Sequence, residues 1–70
     1  MEELIPDPKI TIAEIRFKNG RMTQKEFADS IGVSTQTVVA WEKDVFKVSP
    51  KYLVKIFQVY GVSSSDLLGA

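Results

Sequence analysis

The chain has 70 residues, with nine basic and nine acidic side chains, 44% hydrophobic residues, and neither His nor Cys. A single domain of this size buries only about 60% of the surface that its unfolded chain exposes, which argues against a deep substrate cavity. Without His or Cys the usual general base, a thiolate nucleophile and the common zinc and haem ligands are missing, so we expect no enzyme, no cofactor and no metal site.

Pro6 and Pro8, on either side of Asp7, disfavour a helix at the amino terminus. They predict an extended arm over residues 1–9, followed by one domain over residues 10–70. No apolar run approaches the roughly 18 residues of a membrane span, and the lack of Cys fits a reducing compartment. We therefore expect a cytoplasmic protein.

Five short helices are predicted after the arm, each from a capping residue followed by apolar residues at helical spacing. The predicted N-caps are Thr11, Thr23, Ser34, Ser49 (followed by Pro50) and Ser63. The predicted stop signals are Asn19-Gly20, Gly32 and Gly61. The predicted apolar positions are Ile12, Ile15, Phe27, Ala28, Ile31, Val38, Trp41, Leu53, Ile56, Phe57, Tyr60, Leu67 and Leu68. No strand is predicted, so the fold class is all-α.

The second and third predicted helices meet at Gly32. A small residue at Ala28 lets the third helix cross close to the second, and Gly32 can adopt the positive φ of a tight turn. Val38 and Trp41 then pack inward and hold the angle between the helices. This arrangement is typical of a helix-turn-helix.

These features resemble the Cro and phage-repressor (XRE-like) helix-turn-helix family, in the stretch TQKEFADSIGVSTQTVVAWEKD. The segment YLVKIFQVYGVSSSDLL resembles the fourth and fifth helices of that family. The resemblance implies a compact five-helix bundle of lambda-repressor-like type, with the third helix (about residues 34–43) in the major groove of double-stranded DNA. It also implies a homodimer on a palindromic operator, with no membrane and no small-molecule substrate as partner.

The resemblance assigns roles to individual positions. The residues at base-reading positions are Thr35, Gln36, Val39 and Ala40. The residues expected at the DNA backbone are Arg21, Thr23, Gln24, Lys25, Ser34, Lys43 and Lys47. Of these, the resemblance itself gives Gln24, Ser34 and Lys43, and the others are added from their own chemistry and position. The residues expected to hold the motif together are Ala28, Gly32, Val38, Trp41, Arg16 and Glu42, the last two as an ion pair between the first and third helices. Gln24 is also expected to brace the third helix.

Two features depart from the family pattern, and several residues have two interpretations. The turn Asn19-Gly20-Arg21-Met22 is one residue longer than the commonest family form, which leaves the Arg16 assignment open by one position. Lys43-Asp44 stands where the family often has Asn-Gly, and an acidic Asp44 would repel the DNA backbone. Trp41 could stack on a base, although its spacing from Val38 favours core packing. Val45 and Phe46 either tuck under their loop or form part of a subunit contact. The remaining open case is the lysine series Lys47, Lys51 and Lys55, which is either a solvated face or a phosphate track.

The zero net charge hides an uneven distribution. Residues 8–25 contain five basic side chains and one acidic, and residues 45–70 contain three lysines and one aspartate. If these segments share one face, that face would attract phosphate. We therefore expect a DNA-binding transcriptional regulator of phage-repressor or Cro type. The alternative, which the neutral total charge favours, is an antitoxin-like or anti-repressor-like module that keeps this fold and binds a protein instead.

Overall fold

The computed structural model of the protein describes residues 9–69, so the predicted arm lies outside the described residues except for Lys9. The helices are α1 (Ile12–Lys18), α2 (Gln24–Ile31), α3 (Thr35–Lys43), α4 (Pro50–Tyr60) and α5 (Ser64–Leu68). A single 3₁₀ turn, Val45–Lys47, lies between α3 and α4. Within residues 9–69 there is no strand, and the predicted all-α class with five helices is confirmed.

The helix starts follow the predicted caps. Thr11 and Thr23 each form a capping box. The threonine hydroxyl accepts from the backbone N–H of the glutamate three residues on, and the carboxylate of that glutamate accepts from the threonine backbone N–H. Ser34 and Ser63 accept one backbone bond each. Ser49 makes no such bond, and Pro50 instead supplies the φ that a first helical turn needs.

The core lies where the five helices converge. Its buried members are Ile12, Ile15, Phe27, Ala28, Ile31, Val38, Trp41, Val48, Ile56 and Leu67. Aromatic contacts tie α4 to the others, because the Tyr60 ring stacks on Phe27 with centroids 5.3 Å apart and Tyr52 lies 5.6 Å from Trp41. Trp41 is only 4% exposed, so of its two interpretations the structure supports core packing.

The prediction that Phe57 lies on the buried stripe of α4 is wrong. Phe57 is 56% exposed, whereas Ile56 beside it is fully buried. The two tyrosines explain the difference, since Tyr52 and Tyr60 pack against α3 and α2 and lie one turn on either side of Ile56. The buried stripe is therefore centred on Ile56, and successive residues turn by about 100°, which carries Phe57 to its edge.

The 3₁₀ turn was not predicted. It contains Val45 and Phe46, the two apolar residues whose interpretation was open, and they differ in burial. Val45 is half-buried and packs against the core, whereas Phe46 is 56% exposed. Asp44 caps this turn, because its Oδ1 accepts from the Phe46 backbone N–H at 3.1 Å. The acidic residue that departs from the family pattern thus has a local structural role.

Candidate nucleic-acid interface

The turn between α2 and α3 depends on Gly32. This glycine has φ +91° and ψ 32°, in the left-handed region that other residues rarely adopt. The backbone N–H groups of Gly32 and Val33 both donate to the carbonyl of Ala28, at 2.8 and 3.0 Å. The chain therefore reverses within a few residues, and Ala28 is buried beneath the turn.

Glu42, in the last turn of α3, is held from two other helices. Its Oε2 accepts from Nε of Arg16 at 2.8 Å, and its Oε1 accepts from Nη2 of Arg16 at 3.3 Å and from Nε2 of Gln24 at 3.0 Å. Arg16 also donates from Nη1 to the Met22 carbonyl at 3.0 Å. The Arg16 and Glu42 side chains are only 21% and 18% exposed to solvent. These bonds fix α3 relative to α1, to the α1–α2 turn and to the start of α2.

The outward face of α3 carries the four candidate base-reading residues. Thr35 and Gln36, in its first turn, are exposed, and Val39 and Ala40, in the next turn, are half-buried. On the opposite side Val38 is fully buried and Trp41 nearly so. One side of α3 is thus anchored in the core, and its amino-terminal part presents polar side chains to solvent.

Four of the candidate backbone-contact residues already have intramolecular partners. Gln24 donates to Glu42, as described above, and the other three are Thr23, Ser34 and Lys25. Thr23 and Ser34 use their hydroxyls as N-caps, accepting from Glu26 N at 3.0 Å and Thr37 N at 3.1 Å. Lys25 pairs with Asp29 at 3.0 Å, but both side chains are largely exposed, at 75% and 65%. Such an exposed pair is worth a fraction of a kcal/mol, so Lys25 can exchange its carboxylate for another anion at little cost.

The other three basic candidates surround the helix-turn-helix. Arg21 lies in the α1–α2 turn with φ 56°, and its guanidinium stands 5.1 Å from the centre of the Phe17 ring. Lys43 is exposed at the end of α3, and Lys47 is exposed at the end of the 3₁₀ turn. Neither lysine forms an ion pair with a residue of the 9–69 segment.

Two further properties of the described part of the chain bear on the kind of site. No group of three or more His, Cys, Asp or Glu side chains within residues 9–69 could hold a metal ion. Over the same residues, every helix is too short or too polar to cross a membrane.

Sequence comparison identifies the family of this fold. The sequence profile of the helix-turn-helix family matches residues 12–67, which include all five helices. The chain belongs to the Cro and phage-repressor (XRE-like) helix-turn-helix family. Within this helix-turn-helix chain, α2 and α3 are the two helices of the motif and Gly32 lies at its turn.

Two archaeal relatives cover most of this helix-turn-helix chain. One, an uncharacterised helix-turn-helix-type transcriptional regulator of Methanocaldococcus jannaschii, is 39% identical over 46 residues, which are 66% of the chain and 70% of the relative. The other, an uncharacterised helix-turn-helix-type transcriptional regulator of Archaeoglobus fulgidus, is 39% identical over 56 residues, 80% of the chain and 79% of the relative. No solved structure matches the chain significantly.

A second polar contact braces the helix-turn-helix and was not predicted. The Ser30 hydroxyl lies 2.7 Å from the Phe27 carbonyl and 2.5 Å from the Tyr60 hydroxyl. The one Ser30 proton goes to the carbonyl, so the Tyr60 hydroxyl is the donor in this group, with Ser30 Oγ and, at 3.5 Å, Met22 Sδ as its acceptors. α4 is thereby tied to α2 and to the turn before it. The sequence contained one signal for this contact, because the hydroxyl of a buried tyrosine such as Tyr60 usually has a hydrogen-bond partner.

Proposed function

We propose that this chain is a sequence-specific DNA-binding transcriptional regulator of Cro or phage-repressor type, in which α3 reads the major groove of an operator. The observation that carries the proposal is the two-sided character of α3. One side is held by the core and by the bonds to Glu42, and the other presents Thr35 and Gln36 at the amino-terminal end. The residues of a recognition helix that reach base edges lie at that end.

Gln36 is the side chain best suited to read a base directly. Its amide can donate and accept at once, which matches N7 and N6 of adenine in the major groove. Thr35 offers one hydroxyl for a weaker contact. Val39 and Ala40, one turn further along α3, can make only apolar contacts such as that with a thymine methyl group. Part of the operator preference would then come from DNA shape.

Affinity would come from contacts to phosphates. The cationic candidates are Arg21, Lys25, Lys43 and Lys47. The first backbone N–H groups of α2 and α3 have no acceptor within their own helices, and the amino-terminal ends of helices favour anions. Gln24 can serve two partners, because one Nε2 proton binds Glu42 and the second remains for a phosphate oxygen.

The neutral net charge does not exclude this role, because it is a sum over charges that lie at different places on the surface. Glu14 and Glu26 close capping boxes, and Glu42 is neutralised by Arg16. Asp44 caps the 3₁₀ turn. Lys43 and Lys47, by contrast, extend into solvent from the end of α3 and from the turn after it. A backbone N–H leaves the charge of a carboxylate in place, so the field at the end of α3 comes from Lys43 and Lys47 together with Asp44.

The functional unit on DNA would be a homodimer on a palindromic operator. A single α3 with one bidentate side chain reads only a few base pairs, and a second copy doubles the site. Helix-turn-helix dimers bind half-sites whose centres lie about one helical turn apart, or about 10–10.5 base pairs, or a multiple of that spacing. Sedimentation of the protein with DNA of one or two half-sites measures the stoichiometry. A stoichiometry of one protein chain per DNA, whether the DNA carries one half-site or two, would contradict the dimer.

The rival function, binding of a partner protein without DNA readout, keeps one observation in its favour, which is the zero net charge. The two functions differ in their salt dependence. Contacts to phosphates release counterions, so the logarithm of the binding constant falls with the logarithm of salt concentration by about 0.9 for each phosphate neutralised.

The experiment has two steps. Selection from random duplex DNA first identifies preferred sequences, and titration at several salt concentrations then compares the selected duplex with an unrelated one. The proposal predicts an enriched sequence, tighter binding to it by about 10³-fold or more, and a steep salt slope for both duplexes. No enrichment together with no salt-dependent binding would contradict it.

A further inference from the structure

α4 exposes an apolar stripe on the surface. Val54 is 55% exposed and Phe57 is 56% exposed, and with Pro50 they are spaced i, i+4 and i+7 along the helix. Residues at this spacing share one helix face. They border an open groove of about 360 Å³, here called the α4 groove, which is lined by Pro50, Leu53, Val54, Phe57, Ser63 and Ser64.

One edge of the α4 groove is basic. Lys51 and Lys55 are exposed, one helical turn apart, and border a second depression of about 350 Å³ that shares Val54 with the groove. Within residues 9–69 neither lysine pairs with a carboxylate, since the ion pairs there are Arg16–Glu42 and Lys25–Asp29. The whole of residues 45–65 contains three lysines and no acidic residue. An apolar surface thus lies beside a positive edge that has no carboxylate partner within residues 9–69.

We infer that the α4 groove binds an amphipathic helix of a partner protein that carries acidic residues along one edge. Apolar side chains of such a helix would lie against Val54 and Phe57, and its carboxylates would reach Lys51 and Lys55. A helix that docks in an apolar groove does so through its own apolar anchors at i, i+4 and i+7, and complementary charges set its orientation. No residue that lines the groove belongs to α2 or α3, so the inference does not depend on the proposed DNA site.

Two other occupants match the α4 groove less well. DNA phosphates would pair with Lys51 and Lys55 but would gain nothing from the exposed Val54 and Phe57. A second copy of the chain, placed by a twofold axis on this face, would bring the same lysines toward each other without any carboxylate from α4. Like charges across an interface weaken binding. Charge complementarity therefore favours an acidic partner.

The probe is a fluorescent synthetic helix of about five turns, or roughly 18 residues, with Leu at i, i+4 and i+7 and Glu along one flank. A matched peptide has Lys at every Glu position. The inference predicts micromolar binding of the Glu peptide and binding of the Lys peptide that is weaker by about tenfold or more. Amide shifts in ¹⁵N spectra of the full chain should change in α4 and at Ser63 and Ser64. Equal binding of both peptides, or shifts elsewhere, would overturn it.

Substitutions in the α4 groove distinguish an acidic helix from DNA or a second copy of the chain as its occupant. The double variant Lys51→Glu/Lys55→Glu should bind the Glu peptide about tenfold or more weakly than the parent does. The single variant Phe57→Ser should lose a similar factor in affinity. The matched controls are Lys18→Glu, an exposed lysine on α1, and Val59→Ser, which is 46% exposed on α4 but does not line the groove. Both controls should bind as the parent does.

Two results would overturn the inference in favour of another occupant. One is that the parent binds neither peptide while the double lysine variant loses DNA affinity, which assigns the lysines to phosphates. The other is that the parent self-associates, Phe57→Ser abolishes this, and neither peptide binds. The peptide shifts are measured on the unaltered chain, so the inference stays testable even if a variant misfolds. If the parent chain binds the Glu peptide but binds no DNA, the result contradicts the proposed DNA-binding function and not the inference about the α4 groove.

Discussion

Gln24, the first residue of α2, donates a hydrogen bond from Nε2 to Oε1 of Glu42 on α3 at 3.0 Å. Arg16 binds both oxygens of the same carboxylate. The two helices of the motif are therefore joined at the Gly32 turn and again through Glu42. A helix held at both ends can present Gln36 in a fixed orientation, and bidentate base contacts require such an orientation.

Glu42→Gln should destabilise the fold. The substitution keeps the shape of the side chain but removes the charge opposite Arg16, whose side chain is only 21% exposed. We expect a loss of about 1–2 kcal/mol in the free energy of unfolding, less than for a fully buried pair because water still reaches this one. Urea denaturation followed by far-ultraviolet circular dichroism measures it.

The matched control for Glu42→Gln is Asp29→Asn, which removes the exposed partner of Lys25. Its cost should stay below about 0.5 kcal/mol, because exposed pairs on a helix contribute little. Equal midpoints for the two variants would show that the bonds to Glu42 do not stabilise the bundle.

Gly32→Val should destabilise the fold by about 1–3 kcal/mol through backbone strain alone. No atom lies within 4 Å of a Cβ built at Gly32, so a clash does not contribute, and the cost comes from φ +91°. Lys55→Ala, on the exposed face of α4, should leave the midpoint nearly unchanged.

Gly32 also allows a test by mirror-image chemistry, because a 70-residue chain can be assembled by chemical synthesis. D-alanine prefers positive φ, so Gly32→D-Ala should be at least as stable as the parent, while L-alanine should be less stable. A D-alanine variant as unstable as the L-alanine one would show that the strain argument is wrong.

The helix boundaries were predictable because their signals are local. Thr23 and Glu26 lie three residues apart and form their capping box within one turn. Gly32 marks its own turn through a backbone conformation that favours glycine. Signals of this kind need no knowledge of the rest of the chain, and all five helices follow from them.

Contacts between distant residues were predictable only in part. The resemblance to the family implied a pair between Arg16 and Glu42, but nothing in the spacing indicates that Tyr60 reaches Ser30 thirty residues away. The exposure of Phe57 was missed for the same reason. Periodicity places Phe57 next to the buried stripe, and the packing of Tyr52 and Tyr60 then decides where that stripe ends.

Tyr60→Phe should cost about 0.5–1.5 kcal/mol of unfolding free energy, the value of one half-buried hydrogen bond. The ring remains stacked on Phe27, so the substitution removes only the bond to Ser30 and the weak, 3.5 Å contact with Met22 Sδ. Thermal and urea denaturation measure the change. Tyr52→Phe is the matched control, since the Tyr52 hydroxyl has no hydrogen-bond partner among residues 9–69 and its removal should be nearly neutral. A larger effect at Tyr52 would contradict the assignment.

Lys43→Ala should weaken binding to selected and unrelated duplexes by the same factor. A lysine that contacts a phosphate carries no information about the base sequence. The slope of the logarithm of affinity against the logarithm of salt concentration should become shallower by about one contact, or roughly 0.9. A change confined to the selected duplex would instead place Lys43 at a base edge.

The most direct test of the central claim is the affinity of Gln36→Ala for the selected operator, divided by its affinity for unrelated duplex DNA. Gln36 is exposed in the first turn of α3, so its removal leaves the core intact. If α3 reads bases, the variant should lose about 1–3 kcal/mol on the operator, while its non-specific binding stays nearly unchanged. The ratio would then fall by roughly 5- to 150-fold. An unchanged ratio, in a variant as stable as the parent, would contradict the assignment of α3 as the reading helix.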